Sequence, residues 1–277
     1  MKKTILVPLD GSLESESSLP YARLIAGKTG QRLELLRCFE PPDTTYVLPD
    51  LANLASDVLA EHNLSEMMSA YLEKKKAELG DQFGCDTRVE RGHPADCILA
   101  RAESADLVLM SRHGRGGLGR WLLGGVTAKV TRGTSTPVMV VPGTGSEARL
   151  DSIMVCLDGS DVAEKGLTAA LDLARSVGAR LTLYRAVPLV AAGDPEGDLM
   201  EARAYLQTLK ERCLPTITTT FAQPTALRHH ILECCKELEI DLVVIGSHGH
   251  GALARWVLGS VAESTLHHAE CPVMIVH

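Results

Sequence analysis

The chain contains two copies of one pattern. Residues 110–141 read MSRHGRGGLGRWLLGGVTAKVTRGTSTPVMVV, and residues 245–276 read IGSHGHGALARWVLGSVAESTLHHAECPVMIV. At an offset of 135, His113, Gly114, Trp121, Gly124 and Pro137 fall on His248, Gly249, Trp256, Gly259 and Pro272. Further matches lie upstream at an offset of 148: ILVPLDGS (5–12) on IMVCLDGS (153–160), Gly30 on Gly178, and RLELLR (32–37) on RLTLYR (180–185). A repeat with the period of a whole domain means duplication rather than a solenoid. Any fold proposed for one half must therefore serve for the other. The chain has 277 residues, enough for two domains with their own cores. They are assigned to 1–143 and 150–277, with the short polar stretch GTGSEAR (143–149) between them.

Within the first half, apolar runs at 4–9, 33–39, 107–110 and 138–141 read as buried strands, with a further strand near 87–90. Ser12 is a candidate cap for a helix that runs to about residue 28 and is closed by Gly30. Residues 51–79 carry apolar side chains at helical spacing, and 94–104 reads as another helix. The second half repeats the order, with strands at 153–157, 181–187, 216–221, 242–246 and 272–276 and helices at 162–177, 198–212, 225–238 and 260–269. Strict alternation of strand and helix means an α/β fold, with an open parallel five-stranded sheet flanked by helices in each half. The fall in offset from 148 to 135 gives the first half extra residues between Phe39 and Asp106, expected in the Pro-containing segment 41–50. The strands PVMVV (137–141) and PVMIV (272–276) are short, apolar and β-branched. Each is expected at a sheet edge, where unpaired backbone tends to find another strand.

A net charge of −7, with no Lys/Arg run longer than Lys74–Lys76, argues against a nucleic-acid surface. No apolar run approaches a membrane span, and MKKTILVPLDGS is too short an apolar stretch for a signal peptide. Eight cysteines without a C-x-x-C read as reduced thiols of a cytoplasmic protein.

Ligands of open parallel sheets bind beyond the carboxyl ends of the strands, where strand order reverses. Three features collect there in each half. Asp10 and Asp158 end the first strand, Cys38 and Ala186 end the second, and glycine loops at 111–117 and 246–251 follow the fourth. Gly124-Gly125 and Gly259-Ser260 then open the last helix. Glycine-loop and helix-start N–H groups form an anion site, because the donors are unpaired and the helix dipole favours negative charge. Arg112 and Arg115 stand where they could meet phosphate charge directly in the first half.

Residues 246–260 carry Gly246, Gly249, Gly259 and Ser260 in the spacing G-x2-G-x9-G-(S/T). Together with Val7-Pro8-Leu9-Asp10-Gly11-Ser12, this makes the chain resemble the universal stress protein family over nearly its whole length, as a tandem form. The first copy departs at Ser111 and Gly125, and the second at Cys156, which stands where Pro is common. The resemblance implies a Rossmann-like fold of the nucleotide-alpha-hydrolase type. It implies a stress-response regulator or sensor that binds ATP or AMP, with or without Mg. It assigns Asp158, Ala186, Gly246, Gly249, Gly259 and Ser260 to one nucleotide site, and Asp10, Cys38, Gly114, Gly124 and, through its backbone, Gly125 to the other. It also implies an intrachain pseudo-dimer through the last strands, and leaves a homodimer of the whole chain open.

Other readings are weaker. GRGGLG (114–119) spells G-x-G-x-x-G, but it follows the fourth strand instead of the first. No P-loop is present, and neither are the HIGH and SGGxDS motifs of related enzymes. His229 or His230 with Cys234 has the spacing of a soft-metal pair, although solvated histidines and buried thiols are the ordinary case. His113 and His248 have no paired nucleophile. We therefore assign no catalytic residue and no metal ligand. A slow ATPase or nucleotidyl-transferring enzyme and a nucleotide-free dimerisation module remain the alternatives.

Overall fold

Apolar runs of four to eight residues become strands because only a sheet covered on both faces can bury them along their length. The structure is a computed structural model that describes residues 4–40, 51–114, 123–143, 147–187, 195–213, 218–222, 227–249 and 258–277. Segment 41–50, Arg115, Trp121 and Trp256 lie outside the described residues. The first half contains β1 (Thr4–Pro8), α1 (Leu13–Glu16), α2 (Ser18–Thr29), β2 (Arg32–Phe39), α3 (Leu51–Leu79), β3 (Cys85–Arg91), α4 (Pro94–Ala102), β4 (Leu107–Ser111), α5 (Gly125–Gly133) and β5 (Val138–Val141). The second half contains β6 (Ser152–Cys156), α6 (Asp161–Val177), β7 (Arg180–Ala186), α7 (Pro195–Cys213), β8 (Thr218–Ala222), α8 (Leu227–Glu237), β9 (Leu242–Gly246), α9 (Ser260–His268) and β10 (Val273–Val276).

Each half is a parallel five-stranded sheet, ordered β3-β2-β1-β4-β5 and β8-β7-β6-β9-β10. The two last strands pair with each other antiparallel, with Val140 opposite Val273, Met139 opposite Met274 and Val138 opposite Ile275. The halves thus share one ten-stranded sheet. Each would otherwise leave an apolar edge with unmade backbone hydrogen bonds.

The strands alternate their side chains between two cores, as a pleated strand must. Ile5, Val7, Met139 and Met274 face a layer made by α2, α3, α6 and α7. Leu6, Val138, Val140 and Ile275 face α4, α5 and α9. α8 closes the same side of the second half through Ile231 and Cys234. The first layer is continuous across the halves, with α2 packed on α6.

Two expectations change. The helix after Ser12 breaks at Ser17 into α1 and α2. Pro20 is the cause: it has no N–H to donate to Glu16, four residues earlier. The second half has no proline there, and α6 runs unbroken from Asp161 to Val177. The extra length of the first half lies mainly in helix rather than in 41–50, because α3 has 29 residues and its counterpart α7 has 19. No helix among the described residues is long and apolar enough to cross a membrane.

Candidate functional site

Both sites are built by the same local chemistry. After β1, Gly11 turns the chain at φ 82°, a left-handed conformation that a side chain would strain, and Gly159 does so after β6 at φ 88°. The turn brings Ser12 back onto Asp10, whose Oδ1 accepts from the Ser12 N–H at 2.9 Å and from its hydroxyl at 2.5 Å. Asp158 Oδ1 accepts from the Ser160 N–H at 3.0 Å and from its hydroxyl at 2.6 Å. Each serine oxygen then caps the following helix, accepting from the N–H of Ser15 at 3.1 Å and of Ala163 at 3.2 Å. One carboxylate oxygen is thereby fixed by its own turn, and the other faces the glycine loop. A Cβ on Gly114 would collide with Asp10 Oδ2, and one on Gly249 with Asp158 Oδ2. Glycine is required at these two positions for the close approach.

The loops return to the sheet identically. The Gly124 N–H donates to Arg112 O at 3.0 Å, and the Gly259 N–H to Ser247 O at 2.6 Å. Gly124 and Gly259 are the N-caps of α5 and α9, and neither helix start is capped by a side chain. Their first-turn N–H groups remain donors for an anion, aided by the helix dipole.

These elements frame two cavities where strand order reverses, between β1 and β4 and between β6 and β9. The first holds about 370 Å³ and is lined by Asp10, Cys38, Gly114, Gly124 and Gly125. The second holds about 300 Å³ and is lined by Asp158, Ala186, Gly246, Gly249, Gly259 and Ser260. Sequence reasoning did not supply the apolar walls: Leu36, Ile98 and Met110 in the first cavity, Tyr184, Ile231 and Ile245 in the second. The repeat did hold a signal for one pair, since Leu36 and Tyr184 correspond at the offset of 148. His113 and His248 also line the cavities.

The departures from the glycine pattern have local explanations. Ser111 stands where Gly246 stands in the second half, and its hydroxyl turns onto His113 O at 2.5 Å. The Cys156 thiol is pushed up by burial and then by Cys234 and Cys271, so it stays neutral and puts no charge in the second cavity. Burial, and then Cys97, also raise the Cys38 thiol. His113 is lowered by burial and then by Arg112, so neutral imidazole is favoured beside the first cavity.

Arg112 does not do what its position suggested. Arg112 is 7 % exposed, and its guanidinium crosses to the other half, donating to His267 O at 3.2 Å and Ala269 O at 2.5 Å. The carboxyl end of α9 attracts a cation there, since the last carbonyls are unpaired and the helix dipole is negative. Ser247, its counterpart, bonds the adjacent His248 Nδ1 at 3.0 Å.

The pair weighed for a metal does not gather further ligands. His230 Nδ1 meets the Tyr184 hydroxyl at 2.9 Å and the Cys234 sulfur at 3.4 Å, while His229 points to Glu233 at 3.3 Å on the exposed face. Among the described residues no three His, Cys, Asp or Glu side chains converge on a metal position.

A duplicated parallel sheet with a glycine-lined cavity at each switch point defines a class of tandem α/β proteins. Residues 1–142 and 150–277 match the model of the Universal stress protein family, and the chain belongs to that family. It is 27 % identical over 286 residues to a universal stress protein of Mycolicibacterium smegmatis, covering 98 % of this chain and 96 % of the relative. It is 25 % identical over 289 residues to Universal stress protein Rv2005c of Mycobacterium tuberculosis, with the same coverage. A solved universal stress protein from Archaeoglobus fulgidus shares the fold with a TM-score of 0.77 at 18 % identity, over 99 % of this chain and 97 % of that one. The general role of the family is stress-related regulation.

Proposed function

We propose that each half binds one adenine nucleotide, ATP or AMP, and that the protein acts in the cytoplasm as a nucleotide-dependent stress regulator or sensor. The observation that carries this reading is the repeated cradle. In each half a glycine lies against a strand-end carboxylate, and a helix start without a side-chain cap opens beside it. Phosphates suit the glycine loop and helix start, where N–H donors and the dipole favour negative charge. The apolar walls suit a base, and the cavity volumes are at the small end of ligand pockets. The carboxylates of Asp10 and Asp158 suit ribose hydroxyls, or Mg held with the phosphates. Such an ion would offset phosphate charge and would be shared with the single carboxylate.

The second site binds ATP more tightly, because Ser260 adds a hydroxyl donor where the first has Gly125. Hydrolysis is slow or absent. Phosphoryl transfer needs a positioned water and usually carboxylate-held metal, and each site offers one clear carboxylate. The test is mass spectrometry of small molecules released from the purified protein, followed by calorimetry of the stripped chain. Adenine nucleotide at two equivalents per chain is the expected result. A stripped chain that takes up no adenine nucleotide would favour the nucleotide-free dimerisation module. Turnover above about 1 per second that disappears in Asp158→Ala would favour the enzyme.

A further inference from the structure

The starts of α5 and α9 are anchored in different ways. Thr127, in the first turn of α5, donates its hydroxyl to Ser111 O at 3.0 Å, so that helix is tied to the glycine loop of its own half. Ala262 stands at the matching place in α9 and cannot make that bond. α9 has nine residues and is about 13 Å long. A helix that short is marginal by itself, and its position comes from what it packs on and bonds to.

Two arginines of the first half reach α9. Arg132, in the last turn of α5, pairs with Glu263 in the first turn of α9 at 2.5 Å. Arg112 donates to His267 O at 3.2 Å and to Ala269 O at 2.5 Å at the other end. α9 ends at Ala269 in extended backbone, without the left-handed glycine that closes α2 and α6, so its last carbonyls are open to an outside donor. A cation there also suits the negative end of the helix dipole. Nε of Arg112 stays buried with no acceptor, so the two carbonyls are what its side chain gains by crossing. Ala262 and Leu266 of α9 share one buried cluster with Val130 of α5. The arginine links run one way. Ser247 stands at the place of Arg112 and bonds the adjacent His248, and His267 stands at the place of Arg132.

We propose that Arg112, supported by Arg132, is a positioning residue of the second nucleotide site, although it belongs to the first half and lines neither cavity. The proposal rests on the assignment of an adenine nucleotide to the second cavity. Gly259 and Ser260, the start of α9, line that cavity. Their N–H groups serve phosphate only when they point into it, and an anion site gains affinity from being held in place beforehand. The Gly259 N–H on Ser247 O at 2.6 Å sets where the helix begins. The arginines set its direction, one towards each end. The second site thus depends on the first half, while the first is anchored by its own Thr127.

The experiment is calorimetry of ATP and of adenosine on the full chain, with one site silenced at a time. Gly114→Val leaves the second site, and Gly249→Val leaves the first. With the second site alone, Arg112→Met should weaken ATP about tenfold. Arg132→Met, at an exposed pair, should weaken it about threefold. Adenosine has no phosphate for α9 to meet, so Arg112→Met should weaken it less than about twofold. With the first site alone, Arg112→Met should change ATP affinity less than about twofold, because its side chain leaves that half. Should the methionine variant fail to fold, Arg112→Lys decides. It keeps a cation at the end of α9 with fewer donors, and should weaken ATP about threefold at the second site only. A larger loss at the first site than at the second overturns the proposal, because Arg112 then serves the phosphate of its own loop. So does an equal loss for adenosine and ATP, or an ATP affinity at the second site that neither substitution of Arg112 changes. A Gly114→Val chain that takes up no ATP overturns the nucleotide reading of the second cavity, and this proposal with it.

Discussion

The two cavities share a frame and differ in their walls. The turn, the carboxylate, the serine that holds it and the glycine facing it are superimposable as chemistry: Asp10, Ser12 and Gly114 on one side, Asp158, Ser160 and Gly249 on the other. Around that frame, Leu36, Pro8, Gly125 and Thr127 correspond to Tyr184, Cys156, Ser260 and Ala262. Thr127 ties α5 to the loop by donating to Ser111 O at 3.0 Å, a bond that Ala262 cannot make. The contrast separates what the geometry demands from what it tolerates. Positions where a side chain would strike the carboxylate or strain the backbone are unchanged. Several positions that only line the space differ.

The comparison breaks most sharply at the glycines. A valine at 249 would overlap the Asp158 carboxylate, which its own turn prevents from moving. Gly249→Val should abolish binding at the second site, a loss of at least a thousandfold, or about 4 kcal/mol. Gly114→Val should do the same at the first. Calorimetry of each variant should then report one equivalent of ATP, at the affinity of the surviving site. That reading also tests the proposed order of affinities, because the Gly114→Val protein should bind more tightly than the Gly249→Val protein. Two equivalents in either variant would show that the cradle is not the binding site.

The next difference is a titration confined to the second half. His277 follows β10, and burial, then His248 and Lys165, lower it to about 4. Its Nε2 is buried without a hydrogen-bond partner. The matching residue of the first half is Pro142, which cannot titrate. Because the folded value lies below the ordinary 6.5, the unfolded chain takes up the proton first. This contribution is complete above pH 6.5 and is lost as pH falls from 6.5 towards 4, by about 3 kcal/mol at most. Urea unfolding of His277→Asn should show a shallower decline over that window than the unaltered chain. His113 also titrates low and contributes in the same direction, so the decline should be reduced and not removed. Parallel curves for the two proteins would mean that His277 is solvated.

Arg112 and Ser247 give the third contrast. Removing the guanidinium leaves two carbonyls at the end of α9 without their donor, so Arg112→Met should cost about 2 kcal/mol. Ser247→Ala at the matching position should stay within about 0.5 kcal/mol, since only a bond to the adjacent histidine is lost. Equal midpoints in denaturant for the two variants would show that Arg112 contributes no more than its counterpart.

These contrasts also mark what could be read from the residues in order. Strand positions, strand-end acids and glycine loops were legible because each rests on a local rule, and the repeat states each rule twice. That PVMVV and PVMIV are edges in need of a partner was legible for the same reason, while their joining to each other was implied by the family resemblance. The destination of Arg112 was not, because its acceptors lie 155 and 157 residues away and any loop arginine beside glycines suggests phosphate. Nor was the Tyr184–His230 contact, which depends on how α8 rotates over the sheet. The break at Ser17 was legible in principle from Pro20, whose missing donor falls one turn after Glu16.

The smallest contrast is between Pro8 and Cys156. Pro8 has no N–H, and the pairing of β1 with β4 ends at Leu6 opposite Val108. β6 continues against β9 through Cys156 opposite Ile245. The cavity beside the proline is also the larger, about 370 Å³ against about 300 Å³. A strand that stops pairing early leaves room at its carboxyl end, where the cavity begins. Cys156→Pro should therefore shorten the β6–β9 ladder and cost about 1 kcal/mol, the value of one backbone hydrogen bond. Affinity for ATP at the second site should change less than about threefold, because neither the Asp158 turn nor the start of α9 uses that N–H. Amide exchange is the sensitive measurement, with faster exchange expected at Ile245 and Gly246 and none at the matching residues of the first half. Unchanged exchange at those amides would mean that the N–H of Cys156 carries no ladder bond, and that the wider first cavity owes its size to other side chains.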